Sequence, residues 1–288
     1  MEKKIHTVGI ISKPNIDRAG EILRGLLDWL EKHHIESRCD EQTAFYAGHK
    51  KFYSREDLPK DAQLIVVLGG DGTLLAAARV VGGREIPLLA VNLGGLGFLT
   101  AITLDQLYPE LEQALTGQHR ISKRRMLDCE LTRDGQTIAS FSALNDVVIT
   151  KSMLARMIDL DTHVDNHFMA AYKADGLIIS TPTGSTAYSL SAGGPIIFPT
   201  VAAICLTPIC PHTLTNRPVI VPDTSVVQIL CRGGEEGSYL TIDGQVGEPI
   251  HKGDRIVCRS SPNSISLIRP PKMLYFDVLR EKLKWGER

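Results

Sequence analysis

The chain has 288 residues, a length typical of about two domains. Lysine and arginine total 32 and aspartate and glutamate total 33, so the formal net charge is −1 with histidine neutral. This balance excludes a uniform field that would attract nucleic acid or an anionic membrane. Aromatic residues make up only 6%, which argues against a stacking platform for single strands. We therefore expect no nucleic-acid and no membrane partner.

The cysteines predict reduced thiols in a cytoplasmic protein. No Cys-x-x-Cys pair is present, which argues against a zinc knuckle, a redox dithiol and a secreted disulfide framework. Cys205 and Cys210 are predicted to be core thiols. The apolar run at residues 7–13 is too short for a signal peptide, and the most apolar window, 198–207, is shorter than the ~18 to 20 residues of a membrane span. We expect a soluble protein.

The first part of the chain predicts strands alternating with helices. A strand over residues 6–11 precedes apolar residues at three- and four-residue spacing from Ile16 to Leu30, typical of an amphipathic helix. An apolar run at 64–68 leads through a glycine turn into a helix over 73–80 and a strand over 86–91. A further helix is predicted over 104–115. Continuous apolar strands separated by helices indicate a parallel sheet covered on both faces.

From Arg125 onward the pattern changes to short alternating or β-branched runs between turn signals. These signals are Asp134-Gly135, Asp165-Asn166, Gly233-Gly234 and Asp243-Gly244. Regular turns with little helical periodicity indicate antiparallel β structure. We therefore predict an α/β domain over 1–121, a β-rich domain over 122–272 and a tail over 273–288. The tail is apolar enough from Met273 to Trp285 to pack back on the first domain.

The run Gly69-Gly-Asp-Gly-Thr73 stands where a parallel strand ends and a helix begins, which is where open α/β sheets bind ligands. Glycines there let the backbone approach a phosphate, whose charge meets peptide N–H groups and the helix N-terminus. Asp71 repels a phosphate unless it has another task, either holding a divalent cation or accepting the proton of an attacking hydroxyl. The alternative is a plain Asp-Gly tight turn.

Two further segments favour a binding site. Asn92-Leu-Gly-Gly-Leu-Gly-Phe98 is a second glycine turn after an apolar strand, and both turns would line one crevice. Eight hydroxyl side chains lie between Ser180 and Ser191, suited to sugar, amide and phosphate groups. The alternative for this hydroxyl segment is a Ser/Thr-rich surface loop. His163 and His167 form a His-x-x-x-His pair, but Asp165-Asn166 between them predicts a hairpin turn rather than a zinc site.

Taken together, these segments resemble the NAD kinases, bacterial members in particular. The resemblance rests on the two glycine turns, Asn145-Asp146, Asp175-Gly176, Thr181 to Pro195, Pro211-His212 and Asp243-Gly-Gln245, in the family's order. It implies a Rossmann-like or phosphofructokinase-like parallel-sheet domain followed by a C-terminal β-sandwich. It also implies ATP-dependent phosphorylation of the 2′-hydroxyl of the adenosine ribose of NAD, with the site between the two domains. The glycine turn alone is shared with diacylglycerol and sphingosine kinases, whereas the hydroxyl segment sets NAD kinases apart.

The resemblance assigns roles to individual residues. Asp71 is implied as the catalytic base for the ribose hydroxyl, with Gly72 beside the dinucleotide. Asp146 stands where the family usually has glutamate, so its contact is less secure than that of Asn145. Arg156 and Lys173 are candidates for phosphates, with solvated side chains as the alternative. The predicted substrate- and nucleotide-binding residues are Gly69, Gly70, Gly72, Thr73, Phe98, Asn145, Asp146, Arg156, Lys173, Asp175, Thr186, Ala187, Tyr188, Ser189, Leu190, Ser191 and Gln245.

The triphosphate of ATP needs a hard cation such as Mg²⁺, and such an ion is coordinated largely by substrate phosphates and water. We therefore predict no dedicated metal site built from protein side chains. Polyphosphate is kept as another possible donor. The resemblance also implies that residues 1–121 form the nucleotide-binding domain and that residues 122–272 form the NAD-binding and oligomerisation domain. The oligomer it implies is a homo-oligomer, typically a tetramer. Two other functions remain open: a lipid kinase of the same superfamily, which would need an apolar channel, and a non-catalytic NAD(P)-binding regulator, which would gain nothing from a carboxylate at Asp71.

Overall fold

The computed structural model describes residues 5–13, 18–95, 97–151, 156–233, 238–270 and 274–286. Contacts divide the chain into two compact units, one formed by 1–123 with 265–288 and the other by 124–264. No helix in the described part of the chain combines the length and the apolar character needed to cross a membrane.

The first unit alternates strands with helices along the chain. Its strands are β1 (Thr7–Ser12), β2 (Glu36–Cys39), β3 (Leu64–Leu68) and β4 (Leu88–Val91), and its helices are α1 (Ala19–Lys32), α2 (Glu41–Ala47), α3 (Asp71–Val81) and α4 (Leu107–Leu115), the last preceded by a 3₁₀ turn at Leu104–Gln106. The strand β5 (Arg120–Arg133) leaves this unit, and the end of β16 (Arg255–Arg269) returns to it. The helix α6 (Tyr275–Leu283) ends the described fold.

The sheet of the first unit is parallel in the order β2-β1-β3-β4, and Leu267 of β16 pairs in parallel with Leu88. All five residues of β3 and all four of β4 are buried, which is why these segments read as continuous apolar runs. Helix α1 packs with Leu23, Leu26 and Leu30 fully covered. Parallel order brings the ends of β1, β3 and β4 to one edge, where the glycine turns follow.

The second unit consists almost wholly of antiparallel strands. Besides β5 and β16 these are β6 (Gln136–Ala143), β7 (Asp146–Thr150), β8 (Ile158–Val164), β9 (His167–Ala174), β10 (Gly176–Ser180), β11 (Ala203–Ile209), β12 (Val219–Pro222), β13 (Val227–Gly233), β14 (Ser238–Ile242) and β15 (Val246–Ile250). A 3₁₀ turn at Gly184–Thr186 and the short helix α5 (Tyr188–Ser191) follow β10.

Six strands of this unit form one sheet in the order β12-β11-β10-β7-β14-β15. The hairpins β5-β6 and β8-β9, together with β13, supply the facing strands. Side chains from both sets share one apolar core, for example Ile149 and Ile179 from the six-stranded sheet with Leu160 and Ile229 from the other. The structure thus confirms the predicted α/β unit followed by a β-rich unit with a sandwich core.

The turn signals of the second unit are confirmed where they are described. Asp134-Gly135 and Asp165-Asn166 each join two strands with both residues at positive φ, as tight hairpins require. His163 and His167 therefore flank a hairpin turn, as predicted. Ile16, Gly234 and Met273, which entered the predictions, lie outside the described residues.

Two predictions need correction. Cys205 is buried as expected, but Cys210 is exposed and has a φ of 43°. It follows the last residue of β11, where the chain turns away from the sheet, so the prediction of a core thiol was wrong at Cys210. The strand β2 and the helix α2 were not predicted, because neither carries an apolar run or enough turns to show helical periodicity.

Candidate active site

A cavity of about 390 Å³ opens at the carboxyl edge of the parallel sheet in the first unit. It is built from the segments that follow β1, β3 and β4, together with one residue of α6. The residues lining it are Lys13, Gly69, Gly70, Asp71, Asn92, Leu93, Gly94, Gly95, Gly97 and Lys282. Both glycine turns predicted from the sequence therefore face one cavity. The turns have few side chains, which leaves peptide groups at the surface of the cavity.

Asp71 begins α3, and its carboxylate accepts hydrogen bonds from the backbone of the second glycine turn. Oδ1 accepts from Leu99 N at 3.1 Å, from Thr100 N at 3.0 Å and from Thr100 Oγ1 at 2.9 Å. Among the described residues, Phe98 N is the donor to Oδ2, at 3.0 Å. A carboxylate has about four lone-pair positions, two on each oxygen. Oδ2 thus keeps one position for a further donor, while Oδ1 is fully occupied.

Gly97 makes this arrangement possible. A Cβ atom on Gly97 would lie 2.2 Å from Asp71 Oδ1 and 2.2 Å from Thr100 Oγ1, far inside van der Waals contact. Asn92 supports the same turn from its other side, donating from Nδ2 to Thr100 Oγ1 at 2.8 Å and accepting from Gly94 N at 2.7 Å. The second glycine motif therefore serves first to fold a turn around the carboxylate.

Arg269, at the end of β16, supplies the positive charge behind this turn. Its guanidinium donates to the carbonyl of Phe98 at 3.2 Å. Burial lowers the pKa of Arg269 to about 10, and the neighbouring charge of Asp71 opposes that lowering. A buried cation beside Asp71 compensates the negative charge of the carboxylate. The net charge of the cavity is then set by its two lysines, Lys13 and Lys282, and is positive.

The cavity is suited to phosphate groups. The N-terminus of α3 points at it from Gly70 and Asp71, and helix N-termini carry unsatisfied N–H groups and a partial positive charge. Lys13 and Lys282 add full charges at its wall. Gly69, Gly70, Gly72 and Thr73 all lie at this helix start, as predicted.

In the second unit, the bend at residues 144–145 and the first residue of β7, Asp146, together called the Asn145 turn, are held by Asp243. The Asp243 carboxylate accepts from Leu144 N at 3.1 Å, from Asn145 N at 2.7 Å and from Asp146 N at 3.2 Å. Asp243 has a φ of 52° in the turn between β14 and β15. Its contact with Asn145 was missed from the sequence, where Asp243-Gly244 was read as a turn signal and Asp243-Gly-Gln245 as part of the family resemblance.

Asp146 is an unusual carboxyl group. It is 4% exposed, and burial, followed by the negative charge of Asp243, raises the pKa of Asp146 to about 7. Asn145 Oδ1 and Ser180 Oγ are also buried, and neither has a hydrogen-bond partner among the described residues. Polar atoms without partners in a buried site are typical of a place where a ligand completes the hydrogen bonds.

The hydroxyl segment after β10 is largely occupied with its own fold. Thr181 Oγ1 donates to Leu144 O at 2.7 Å and accepts from Gly184 N at 3.0 Å. The Ser185 hydroxyl donates to Pro182 O at 2.7 Å, and the fully buried Ser189 hydroxyl bonds to Thr207 at 2.8 Å. The segment is thus no Ser/Thr-rich surface loop. Thr186, Ala187, Tyr188, Leu190 and Ser191 are the members with exposed surface.

Several contacts bring the Asn145 turn and the hydroxyl segment together. Thr181 N donates to Asn145 O at 2.9 Å, and a Cβ on Gly184 would lie 2.1 Å from the same carbonyl. Gln245 lies two residues after Asp243 in the turn between β14 and β15, and the Asp243 carboxylate accepts from Asn145 N. Asp175 instead makes an ion pair of 2.9 Å with Lys151. Arg156 precedes β8, and Lys173 lies on β9, where its carbonyl accepts from His212 N at 2.9 Å.

No three His, Cys, Asp or Glu side chains gather into a metal-ligand cluster within the described ranges. His163 makes an edge contact with Phe168 at 5.4 Å between ring centroids. Asp71 is the one carboxylate among the residues that line the described cavity. A cation held chiefly by the phosphates of a substrate fits this donor set.

The parallel sheet and the cavity at its carboxyl edge define an α/β protein with a site suited to phosphate groups, joined to a β-sandwich unit. Comparison with protein families narrows this class. Residues 8–119 match the ATP-NAD kinase N-terminal domain, and residues 144–270 match the ATP-NAD kinase C-terminal domain. The chain belongs to the NAD kinase family.

Individual relatives agree with this placement. The NAD kinase of Solibacter usitatus is 65% identical over 284 residues, and that of Geobacter sulfurreducens is 48% identical over 281, with 98% or more of each chain covered. The yeast NADH kinase structure complexed with NADH has a TM-score of 0.92 at 27% identity, covering 100% of this chain and 90% of that chain. An Archaeoglobus fulgidus NAD kinase in complex with ATP has a TM-score of 0.78 at 23% identity over 96% and 98%, a likeness of fold. The lipid-kinase and regulator alternatives gain no support from these matches.

Proposed function

We propose that this chain transfers the terminal phosphoryl group of ATP to the 2′-hydroxyl of the adenosine ribose of NAD, giving NADP and ADP. The observation that carries the proposal is the Asp71 carboxylate at a cavity lined by glycines and lysines. A cradle for phosphate alone gains nothing from a negative charge, whereas transfer to a hydroxyl needs an acceptor for the proton. Relatives named NAD kinase support the same assignment.

In this reaction the 2′-oxygen forms a bond to the terminal phosphorus while the bond from that phosphorus to the bridging oxygen of ADP breaks. The hydroxyl proton passes to Asp71. We assign this task to Oδ2, because it accepts one hydrogen bond, from Phe98 N, while Oδ1 accepts three. The turn fixes the carboxylate in one orientation, and a fixed acceptor lowers the entropic cost of reaching the reactive geometry.

The donor phosphates are assigned to the start of α3, formed by Gly69, Gly70, Gly72 and Thr73, where the helix N-terminus carries a partial positive charge. The N–H groups of Gly69 and Thr73 donate to the carbonyls of Val91 and Gly70, so these two residues shape the loop. A preorganised positive end stabilises the charge that develops on the transferring group without reorganisation during the reaction. Phe98 contributes through its backbone, which holds Asp71.

The dinucleotide is assigned to the second unit. The unpartnered buried Oδ1 of Asn145 and the carboxyl of Asp146 are its anchoring groups. A carboxyl with a pKa of about 7 is a donor when protonated and an acceptor when ionised, so it suits a ribose or base edge. We infer that Ser189 supports this site from behind through Thr207. The remaining assigned residues are Arg156, Lys173, Asp175, Thr186, Ala187, Tyr188, Leu190, Ser191 and Gln245.

A divalent cation, Mg²⁺ by its preference for phosphate oxygens, accompanies ATP in this proposal. It would neutralise charge on the donor phosphates and would be held by those phosphates, because the free position on Asp71 is assigned to the proton. We place the enzyme in the cytoplasm, consistent with six free cysteines. We also propose a homotetramer, to be checked by size-exclusion chromatography with light scattering.

The decisive experiment offers labelled ATP with NAD and with diacylglycerol in parallel reactions, followed by thin-layer separation. We expect labelled NADP and no labelled lipid. Labelled lipid without NADP would reject the proposal. NAD binding by calorimetry without any turnover would instead favour a non-catalytic regulator. Replacing ATP by polyphosphate in the same assay measures the breadth of the donor.

A further inference from the structure

Lys282, near the end of α6, lines the same cavity as Asp71 and the two glycine turns. The matched family domains end at residue 270, so they do not include this lysine. We propose that Lys282 is a binding residue for the phosphoryl donor, contacting the phosphates of the nucleotide through its ammonium group. This inference rests on the proposed function and adds a residue of the C-terminal helix to it.

The packing of α6 explains how Lys282 reaches the cavity. The helix buries Val278 and Leu279, which are four and three residues before Lys282. Residues at these spacings share one face of a helix, so Lys282 extends from the edge of the buried face. Arg280 is two residues after Val278 and therefore lies on another face, where it pairs with Asp277.

The charges in the cavity favour a polyanion. Asp71 contributes one negative charge, which the buried Arg269 compensates. Lys13 and Lys282 supply two positive charges, and neither has an ion-pair partner within the described ranges. The other ion pairs of the described residues, such as that of Lys60 with Asp57, involve no residue that lines the cavity. Two uncompensated ammonium groups beside a helix N-terminus are suited to a chain of phosphates.

A purely structural role for Lys282 is the alternative. A lysine in the last turn of a helix interacts favourably with the helix dipole, whatever the cavity contains. That role predicts that removing the lysine lowers helix stability and changes the Michaelis constants of both substrates by the same factor. A role in donor binding predicts an effect on ATP that spares NAD. The two are therefore separated by comparing the Michaelis constants of the two substrates.

The experiment compares wild type with Lys282→Ala, Lys282→Arg and Arg280→Ala. Arg280→Ala is the matched control, since it removes one positive charge from the same helix but not from the cavity. We expect Lys282→Ala to raise the KM for MgATP about tenfold while the KM for NAD stays within twofold. We expect Lys282→Arg to recover most of the loss and Arg280→Ala to leave both constants unchanged.

Calorimetric titration with inorganic tripolyphosphate tests the inference independently of turnover. If the wild-type protein makes no NADP, the proposed function fails, but this titration still decides the role of Lys282. We expect about tenfold weaker binding for Lys282→Ala and unchanged binding for Arg280→Ala. The inference is overturned if tripolyphosphate does not bind to wild type, if Lys282→Ala binds it equally well, or if both Michaelis constants change by the same factor.

Discussion

Replacing Asp71 by asparagine separates the chemistry of this carboxylate from its structural work. The carboxylate accepts hydrogen bonds from Phe98 N, Leu99 N and both the N–H and the hydroxyl of Thr100. An asparagine side chain keeps one carbonyl oxygen but presents an NH₂ group where Oδ2 now accepts from Phe98 N. The variant therefore loses a proton acceptor and also the hydrogen bond that Phe98 N donates to Oδ2.

The structural loss is sizeable. A hydrogen bond to a charged group contributes about 1.5 to 3 kcal/mol, and the Phe98 N–H would face a donor instead of an acceptor. Arg269 also loses the neighbouring charge that opposes the lowering of its pKa by burial. We expect a total of roughly 3 kcal/mol in the free energy of unfolding, which corresponds to a fall in Tm of about 6 to 12 °C for a unit of this size.

The matched control is Thr100→Val, which removes the hydroxyl donor to Asp71 but leaves the carboxylate in place. Thr100 is fully buried and also accepts from Asn92 Nδ2, so this variant costs about 1 to 3 kcal/mol, close to the loss for Asp71→Asn. The assay pairs thermal unfolding with turnover and with calorimetric NAD binding for both variants. We expect Asp71→Asn to lose at least ~100-fold in turnover, within the range of general base catalysis, and to retain NAD binding. Thr100→Val should keep turnover within a few fold.

One result would refute the reasoning. If Asp71→Asn loses stability as expected and yet turns over within a few fold of wild type, the carboxylate only folds the turn. If Thr100→Val loses as much turnover as Asp71→Asn at equal stability, the fixed turn matters more than the proton acceptor.

Three further variants test the turns that Asp71 and Asp243 hold. Gly97→Ala places a Cβ 2.2 Å from Asp71 Oδ1 and should lower both Tm and turnover. Gly95→Ala, whose Cβ has no atom within 4 Å, is its control for Tm. Asp146→Asn should be more stable than wild type above pH 7. The pKa of the Asp146 carboxyl rises from ~3.9 in the unfolded chain to about 7 in the folded one, so the wild-type free energy of unfolding falls as pH increases between these values, by at most about 4 kcal/mol. Thermal melts from pH 4 to 8 measure the difference, and parallel curves for the two proteins would contradict it. Asp243→Asn should weaken NAD binding about tenfold or more in calorimetry, because three backbone N–H groups lose a charged acceptor. Unchanged affinity would show that the Asn145 turn does not contribute to NAD binding.

The sequence predicted the parallel sheet well because its strands are buried on both faces. The run at 64–68 is apolar at every position, and the structure buries every residue of β3. The β2 strand lies at the end of the sheet order and carries Glu36 and Arg38, so it has no such signature. The helix α2 has seven residues, fewer than two full turns of amphipathic pattern, although its cap, Asp40 Oδ1 accepting from Thr43 N, was readable in principle.

The site was predictable where a motif is local and was missed where partners are distant. Asp71 and the glycine turns are neighbours of strand ends and could be placed from the sequence alone. Arg269 acts on a turn 171 residues earlier, and Asp243 caps a turn 98 residues earlier. Nothing in a sequence reveals such pairs without the fold. Lys282 was missed for the same reason, since it lies in a tail predicted only to pack on the first unit.

The hydroxyl segment shows why composition overstates ligand contacts. Eight hydroxyl side chains were read as donors and acceptors for a sugar or phosphate. In the structure, Thr181, Ser185 and Ser189 direct their hydroxyls to protein partners, and Ser189 bonds with Thr207 across to β11. A chain that turns sharply beside a buried strand must satisfy its backbone groups, and short hydroxyl side chains do so locally. Such residues shape a site without touching its ligand.

Both units use the same device to hold a loop. In each, one aspartate accepts from three consecutive backbone N–H groups, residues 98–100 for Asp71 and residues 144–146 for Asp243. The environments differ. Asp243 is 8% exposed and faces Asp146, whose pKa it raises further, whereas Asp71 borders an open cavity and has Arg269 behind it. The same capping geometry thus yields a positioning group in one unit and, with a free lone pair on Oδ2, a group able to take a proton in the other.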